Sequence, residues 1–142
     1  MQLPKNLITT IKVIHEDNDI IVVNKPAYLL SIPDRYNPNI PNLQAFLRNR
    51  LPSVLTVHRI DRETSGIICF AKNEAAHRDL SMQFEKHTVR KIYHAIVEGI
   101  LPEEVAEIDL PIAEIPSKRG VMNINYQTGK PSVSKYRIIE QF

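Results

Sequence analysis

The chain has 142 residues, of which 43% are hydrophobic and 24% charged, a composition typical of one globular domain. Its aliphatic runs are far shorter than the ~20 residues of a membrane helix. The first residues lack the apolar stretch of a signal peptide. A single cysteine, Cys69, cannot form an internal disulfide. We therefore expect a cytoplasmic protein with no membrane segment, in which Cys69 is a small buried hydrophobe.

Charge is unevenly distributed along the chain, although the net charge is only +2. Residues 101–116 contain five acids and no lysine or arginine, whereas residues 117–137 contain five bases and no acid. Residues 48–62 hold four arginines against one aspartate. This pattern is compatible with a basic side that faces a polyanion. Charge alone favours the alternative, solvated faces that carry ordinary ion pairs.

The first predicted elements are two strands, residues 11–15 and 20–23, joined in a hairpin by an acidic turn. A proline ends the second strand because it cannot donate to a ladder. Residues 26–52 contain five of the ten prolines, so most of this stretch is predicted to be loop. Within it, Asn42 is expected to cap a short helix that Pro52 stops.

Apolar periodicity then predicts a buried strand at residues 67–71 and a helix at residues 74–87 capped by Asn73. The remaining predicted elements are strands at residues 90–97, 107–110, 121–124 and 133–139. The order of strands, helix and strands lacks a regular βαβ alternation. It indicates an α+β fold with a mixed, mainly antiparallel sheet and flanking helices.

Several kinds of chemistry find no support in the sequence. The four glycines do not have the spacing of a phosphate loop or a dinucleotide-binding fingerprint. The five histidines show no metal-ligand spacing. We therefore expect no metal and no cofactor. The groups that remain as candidates for catalysis are a carboxylate, a tyrosine, and a serine assisted by a histidine.

The candidate site is the polar run at residues 58–66, with the sequence H-R-I-D-R-E-T-S-G, between two apolar segments. A loop of this kind can present the carboxylate of Asp61 to a substrate. Arg59 and Arg62 would keep the carboxylate ionised, so that it could act as a nucleophile or a base. The alternative is an aspartate that stabilises a turn, with both arginines in surface ion pairs.

Four segments carry a family resemblance. They are H-R-I-D-R-E-T-S-G at 58–66, N-K-P at 24–26, K-I-Y-H-A-I-V-E-G at 91–99 and G-K-P-S-V-S-K-Y at 129–136. In their order along the chain and in their spacing, these segments resemble the motifs of RNA pseudouridine synthases of the RluA type. Tyr28 stands where the family usually has glycine, so we expect a different loop backbone there. The family's R-x-H-Q-I-R segment does not occur before the chain stops at Phe142.

The resemblance implies the pseudouridine synthase catalytic fold, with residues 1–142 as the N-terminal portion of a single catalytic domain. No separate S4-type RNA-binding domain is apparent ahead of residue 11. It implies a cofactor-free isomerisation of uridine to pseudouridine in rRNA or tRNA, with the target base flipped out. Without the R-x-H-Q-I-R segment, the 142 residues alone are expected to be inactive. The strand at 133–139 is expected to remain uncovered and to allow self-association.

The resemblance also implies residue roles. Asp61 would be catalytic, attacking C1′ of the ribose or taking a proton from C2′. The substrate-binding residues would be His58, Arg59, Tyr93 and Lys25. Among these, Arg59 would hold the displaced RNA, Tyr93 would pack against the flipped base, and Lys25 would meet phosphate. The bases expected to contact RNA phosphates are Lys118, Arg119 and Lys130.

Two other functions are compatible with the same residues. A non-catalytic RNA-binding fragment, or a remnant of the fold, would explain the absence of the R-x-H-Q-I-R segment. A hydrolase acting on small glycosides would need a second acid beside Asp61. Glu63 lies two residues away and need not point in the same direction.

Overall fold

The computed structural model describes residues 10–118 and 120–142 of the chain. They belong to two units, Met1–Ile92 and Tyr93–Phe142. Both are built on antiparallel strand pairs, and the described helices lie in the first unit. The predicted α+β class with mainly antiparallel sheet is therefore confirmed.

The first unit is organised by a four-stranded antiparallel sheet with the strand order β1-β2-β4-β3. The strands are β1 Lys12–Glu16, β2 Ile20–Lys25, β3 Leu55–Thr56 and β4 Gly66–Ala71. The predicted hairpin of β1 and β2 is confirmed. The carboxylate of Asp17 closes its turn by accepting the backbone N–H groups of Asp19 and Ile20, each at 2.8 Å.

Alternate residues of the two central strands face the core, as the two-residue period of a strand requires. The buried apolar residues at these alternating positions are Ile21 and Val23 of β2 and Ile68 and Phe70 of β4. They pack against apolar side chains from the segments between β2 and β3: Leu29, Leu43, Leu47 and Val54. The loop after β2 is thereby fixed to the sheet by apolar burial.

Two helices flank this sheet, α1 Leu43–Arg48 and α2 Glu74–Glu85. Both predicted N-caps are confirmed, because Asn42 and Asn73 each accept a backbone N–H through the side-chain oxygen at 2.9 Å. Helix α2 ends two residues before the predicted end, and His87 adopts a positive φ of 55°. In the described ranges, no helix has the length and apolar character needed to cross a membrane.

The second unit contains two strand pairs. Strand β5 (Val105–Asp109) pairs with β8 (Val133–Arg137), and β6 (Ile112–Glu114) pairs with β7 (Met122–Ile124). The strands predicted at 107–110, 121–124 and 133–139 are thus found, with ends shifted by one or two residues.

The strand predicted at residues 90–97 is not formed. Residues 89–98 have no strand or helix assignment, and residues 91–100 are all exposed. The β-branched and aromatic pattern of this segment favours an extended chain, but a strand also needs a neighbour that completes its hydrogen bonds. Within residues 10–118 and 120–142, no strand pairs with it.

One interpretation of the charge pattern placed the acidic and basic segments on separate sides of the protein. The structure does not show this separation. Pairing of β5 with β8 places Glu107 opposite Lys135, and their side chains form an ion pair at 2.9 Å. Both side chains are well exposed, so the pair contributes at most about 1 kcal/mol. The acidic strand β5 and the basic strand β8 are neighbours in one small sheet.

Candidate functional site

The candidate site lies on residues 57–65, the loop that joins β3 to β4 and is called the Asp61 loop below. Asp61 is exposed, and its backbone oxygen accepts the N–H of Thr64 at 3.2 Å, which closes a turn. Ile60, immediately before it, is only 7% exposed. The loop therefore has a buried backbone beneath an exposed carboxylate.

Ser31 fixes the residue before Asp61. Its hydroxyl donates to the backbone oxygen of Ile60 at 2.6 Å and accepts the backbone N–H of Ile60 at 3.3 Å. Ser31 is itself 4% exposed, so these bonds are made away from water. One hydroxyl thus satisfies both backbone groups of Ile60, which would otherwise be buried without partners.

Lys25 fixes the residue after Asp61. Its ammonium donates to the backbone oxygens of Leu29 at 2.7 Å, Pro26 at 3.1 Å and Arg62 at 3.2 Å. The side chain is fully buried. Burial lowers the pKa of Lys25, while the nearby carboxylates of Glu63 and Asp61 oppose this shift.

This position differs from the predicted role of Lys25 as a phosphate contact. An ammonium has three N–H donors, and all three are taken up by carbonyl oxygens of the protein. The buried side chain also has no surface to offer RNA. In this structure Lys25 joins the loop after β2 to the Asp61 loop.

Tyr28 makes the second contact with Arg62. Its backbone N–H donates to the Arg62 oxygen at 2.6 Å, so this oxygen accepts from both Tyr28 and Lys25. Tyr28 has a φ of 66°, the left-handed conformation that glycine adopts without steric cost. The expectation of a loop backbone different from the family's, where tyrosine replaces the usual glycine, stays a prediction.

His58 connects the Asp61 loop to strand β4 and helix α2. Its Nε2 accepts the backbone N–H of Cys69 at 3.0 Å, and its ring stacks on Phe84 at 4.5 Å between centroids. A backbone N–H can only donate, so Nε2 must be unprotonated. Burial, and to a smaller extent the charge of Lys91, lowers the pKa of His58 and favours this neutral form.

These contacts of His58 hold the Asp61 loop against strand β4 and helix α2, and its role in substrate binding stays a prediction. Strand β3 is only two residues long and does not continue alongside β4. The N–H of Cys69 thus needs another acceptor, and the imidazole supplies it. Cys69 itself is half-buried, and burial raises the pKa of its thiol.

The side chains of Arg59 and Asp61 are exposed, and Arg62 is half-buried. The alternative with both arginines in surface ion pairs is not supported, because neither Arg59 nor Arg62 takes part in an ion pair of the described residues. The Asp61 carboxylate also has no hydrogen bond among the described residues.

The other predicted site residues belong to the second unit. Tyr93 is 60% exposed, and Lys118 and Lys130 are exposed as well. Arg119 lies outside the described residues. Among the residues that the structure describes, no group of three or more potential ligands could hold a metal ion.

Sequence reasoning missed Ser31. The only signal was a hydroxyl among apolar residues, between Leu29-Leu30 and Ile32. A buried serine in a loop usually has a backbone partner. The identity of that partner, 29 residues further along the chain, follows only from the fold.

A profile of the RNA pseudouridylate synthase family matches residues 19–142. The dual-specificity RNA pseudouridine synthase RluA of Yersinia pestis is 37% identical, over 91% of this chain and 63% of its own length. The ribosomal large subunit pseudouridine synthase D of Haemophilus ducreyi is 35% identical, over 98% of this chain and 43% of its own length. The chain thus spans less than two thirds of these relatives.

A solved structure of a pseudouridylate synthase domain is also similar to this chain. Human RNA pseudouridylate synthase domain containing 1 superposes with a TM-score of 0.72 and 26% identity, over 95% of this chain and 54% of the human chain.

Replacing Ser31 with alanine is expected to lower the free energy of unfolding by about 1–3 kcal/mol, because Ile60 loses the partner of both buried backbone groups. Urea denaturation followed by circular dichroism measures the change. Ser81→Ala on helix α2 is the matched control and should lose less than about 0.5 kcal/mol. Equal losses in the two variants would contradict the role given to Ser31.

The neutral imidazole of His58 predicts a pH dependence of stability. The folded protein holds the pKa of His58 below its ordinary 6.5, so the unfolded chain binds the proton more readily. Stability from this group is present above pH 6.5 and is lost as pH falls below it. In His58→Gln, which keeps an acceptor but does not titrate, the free energy of unfolding should fall less steeply with decreasing pH.

His94→Gln, at an exposed position, is the control and should follow the wild-type profile. An unchanged slope in His58→Gln would show that this imidazole does not contribute to the pH dependence of stability.

Proposed function

Because the chain belongs to the RNA pseudouridylate synthase family, we propose that the protein isomerises uridine to pseudouridine in structured RNA, with Asp61 as the catalytic group. One relative is named for the large ribosomal subunit and another for dual specificity. Together with the motif resemblance, these names lead us to propose rRNA or tRNA as the substrate. The proposal concerns the protein at its natural length. That the 142 residues alone are inactive stays a prediction from the sequence.

The main structural support is the contrast between Asp61 and its two neighbours. Ile60 is bonded through both backbone groups to Ser31, and the Arg62 oxygen is bonded to Lys25 and Tyr28. The carboxylate between them is exposed and has no hydrogen bond among the described residues. A reactive group needs a fixed position and an open approach, and this arrangement supplies both.

The proposed reaction breaks the N1–C1′ glycosidic bond and forms a C5–C1′ bond. It is an isomerisation, so no redox partner or phosphate donor is needed. A carboxylate beside an anomeric carbon suits this chemistry, as it does in glycosidases. Asp61 either attacks C1′ as uracil leaves, forming an ester that C5 later displaces, or accepts the C2′ proton as uracil leaves and returns it when C5 bonds to C1′. In both routes C5 loses its proton after the new bond forms and N1 gains one, so no atom is lost overall.

A uridine stacked within RNA cannot reach this carboxylate, so the target must leave the stack. Arg59 is exposed two residues before Asp61 and is proposed to occupy the space or contact the strand that the base leaves. Tyr93 is exposed and is proposed to pack against the flipped uracil. His58 and Lys25, both fixed by hydrogen bonds within the protein, are proposed to position the loop instead of touching the base.

A non-catalytic RNA-binding protein is the second candidate. It would use the same exposed arginines and lysines but would not need a fixed carboxylate. The network around Ile60 and Arg62 favours the catalytic function, since binding alone does not require such precise support.

Asp61→Asn, made in the protein at its natural length, should reduce pseudouridine formation at least a thousandfold and leave RNA affinity within about threefold of wild type. The amide keeps the shape of the side chain but removes its charge and nucleophilicity. Chemical labelling of pseudouridine measures turnover, and filter binding measures affinity.

Glu63→Gln is the matched control, since it removes a carboxylate from the same loop. We expect it to retain activity within about tenfold. Residual turnover of Asp61→Asn at a similar level would contradict the role of Asp61. Absence of pseudouridine formation by the wild-type protein on both rRNA and tRNA would favour the second candidate.

Replacing Lys118, Arg119 and Lys130 with alanine should flatten the dependence of log affinity on log salt, by up to ~0.9 per lost contact with a duplex phosphate. Lys135→Ala is the control and should change the slope less, because Glu107 already pairs with this charge. A triple variant with the wild-type slope would show that these bases form an ordinary solvated surface.

A further inference from the structure

Tyr28 is an exposed aromatic residue held in an unfavourable backbone conformation beside the Asp61 loop. Its φ of 66° is uncommon for any residue except glycine, asparagine or aspartate. The side chain is 52% exposed, and its hydroxyl has no hydrogen bond among the described residues. The packing of the protein therefore does not explain why a tyrosine occupies this position.

The backbone requirement alone would favour glycine. The hydrogen bond from the Tyr28 N–H to the Arg62 oxygen, 2.6 Å long, needs only the main chain. Glycine would make it without the steric cost that a Cβ brings at positive φ. Non-glycine residues in such conformations cluster at functional sites, where the side chain has a use that offsets the cost.

The position of Tyr28 indicates what that use is. Its backbone is bonded to Arg62, the residue that follows Asp61, so the exposed ring is attached to main chain beside the Asp61 loop. Arg59, exposed on the same loop, adds positive charge. An exposed aromatic ring with nearby arginines is the usual means by which proteins hold an unpaired nucleobase.

We propose that Tyr28 stacks on an unpaired nucleobase next to the target uridine and so helps to select RNA in which that base is free of its stack. This inference rests on the proposed function, because it takes RNA as the ligand and Asp61 as the centre of the site. The ring face recognises any base, so the contact selects for unpaired structure and not for sequence.

The test uses the protein at its natural length and a short RNA stem-loop with 2-aminopurine beside an unpaired uridine. Stacking on a tyrosine quenches the fluorescence of this base. Tyr28→Phe keeps the ring, and Tyr28→Asn removes it while tolerating the left-handed backbone. Wild type and Tyr28→Phe should quench the probe equally, whereas Tyr28→Asn should quench little and bind about tenfold more weakly.

Thermal melting is the control for folding, and Tyr28→Asn should melt no lower than wild type because its backbone cost is reduced. The inference is overturned if the wild-type protein does not quench the probe, or if Tyr28→Asn binds and quenches as wild type does. It is also overturned if Tyr28→Phe loses as much as Tyr28→Asn, which would assign the effect to the hydroxyl.

Measuring pseudouridine in the same samples separates the two proposals. If wild type forms pseudouridine and Tyr28→Asn quenches and reacts normally, the stacking inference fails and the proposed function stands. If no variant forms pseudouridine but only Tyr28→Asn loses quenching, stacking is supported and the proposed function fails.

Discussion

The geometry of the site depends on one buried ammonium. Lys25 ends strand β2, pairs there with Gly66 at the start of β4, and directs its side chain to three carbonyl oxygens. A buried cation costs much free energy unless all its donors are satisfied. The two loops that supply these oxygens must therefore lie side by side. Their adjacency places the backbone of Arg62, and with it Asp61, over the end of the central strands.

The other fixed points of the Asp61 loop follow the same logic of buried polar groups. Ser31 satisfies Ile60, and His58 satisfies the N–H that the short strand β3 leaves open on Cys69. These contacts join residues that are 29 and 11 positions apart in the chain. The described residues contain no buried side-chain nitrogen or oxygen without a hydrogen-bond partner. The loop is thus held on both sides of Asp61 by hydrogen bonds to buried groups, although it has no repeating structure.

Local patterns predicted the parts of the fold that local interactions determine. The hairpin turn at Asp17 and the caps Asn42 and Asn73 depend on groups within three residues, so the sequence was sufficient for them. The strand at 90–97 and the separation of charges were wrong because both depend on which segments become neighbours. The contacts of Lys25 with Arg62, 37 residues apart, are of the same kind and could not be deduced from spacing.

Substitutions of buried residues that hydrogen-bond to the Asp61 loop are expected to affect the exposed carboxylate as well as the stability of the fold. Lys25 and Ser31 lie out of reach of a large ligand, yet both determine where Asp61 stands. Displacing a reacting group by a fraction of an ångström is enough to slow a reaction substantially. Under the proposed function, the hydrogen bonds that stabilise the fold are therefore the same ones that set the position of the reacting carboxylate. Tyr28 differs from these residues, because only its backbone belongs to this network. Its exposed ring can therefore be replaced without removing any of these hydrogen bonds.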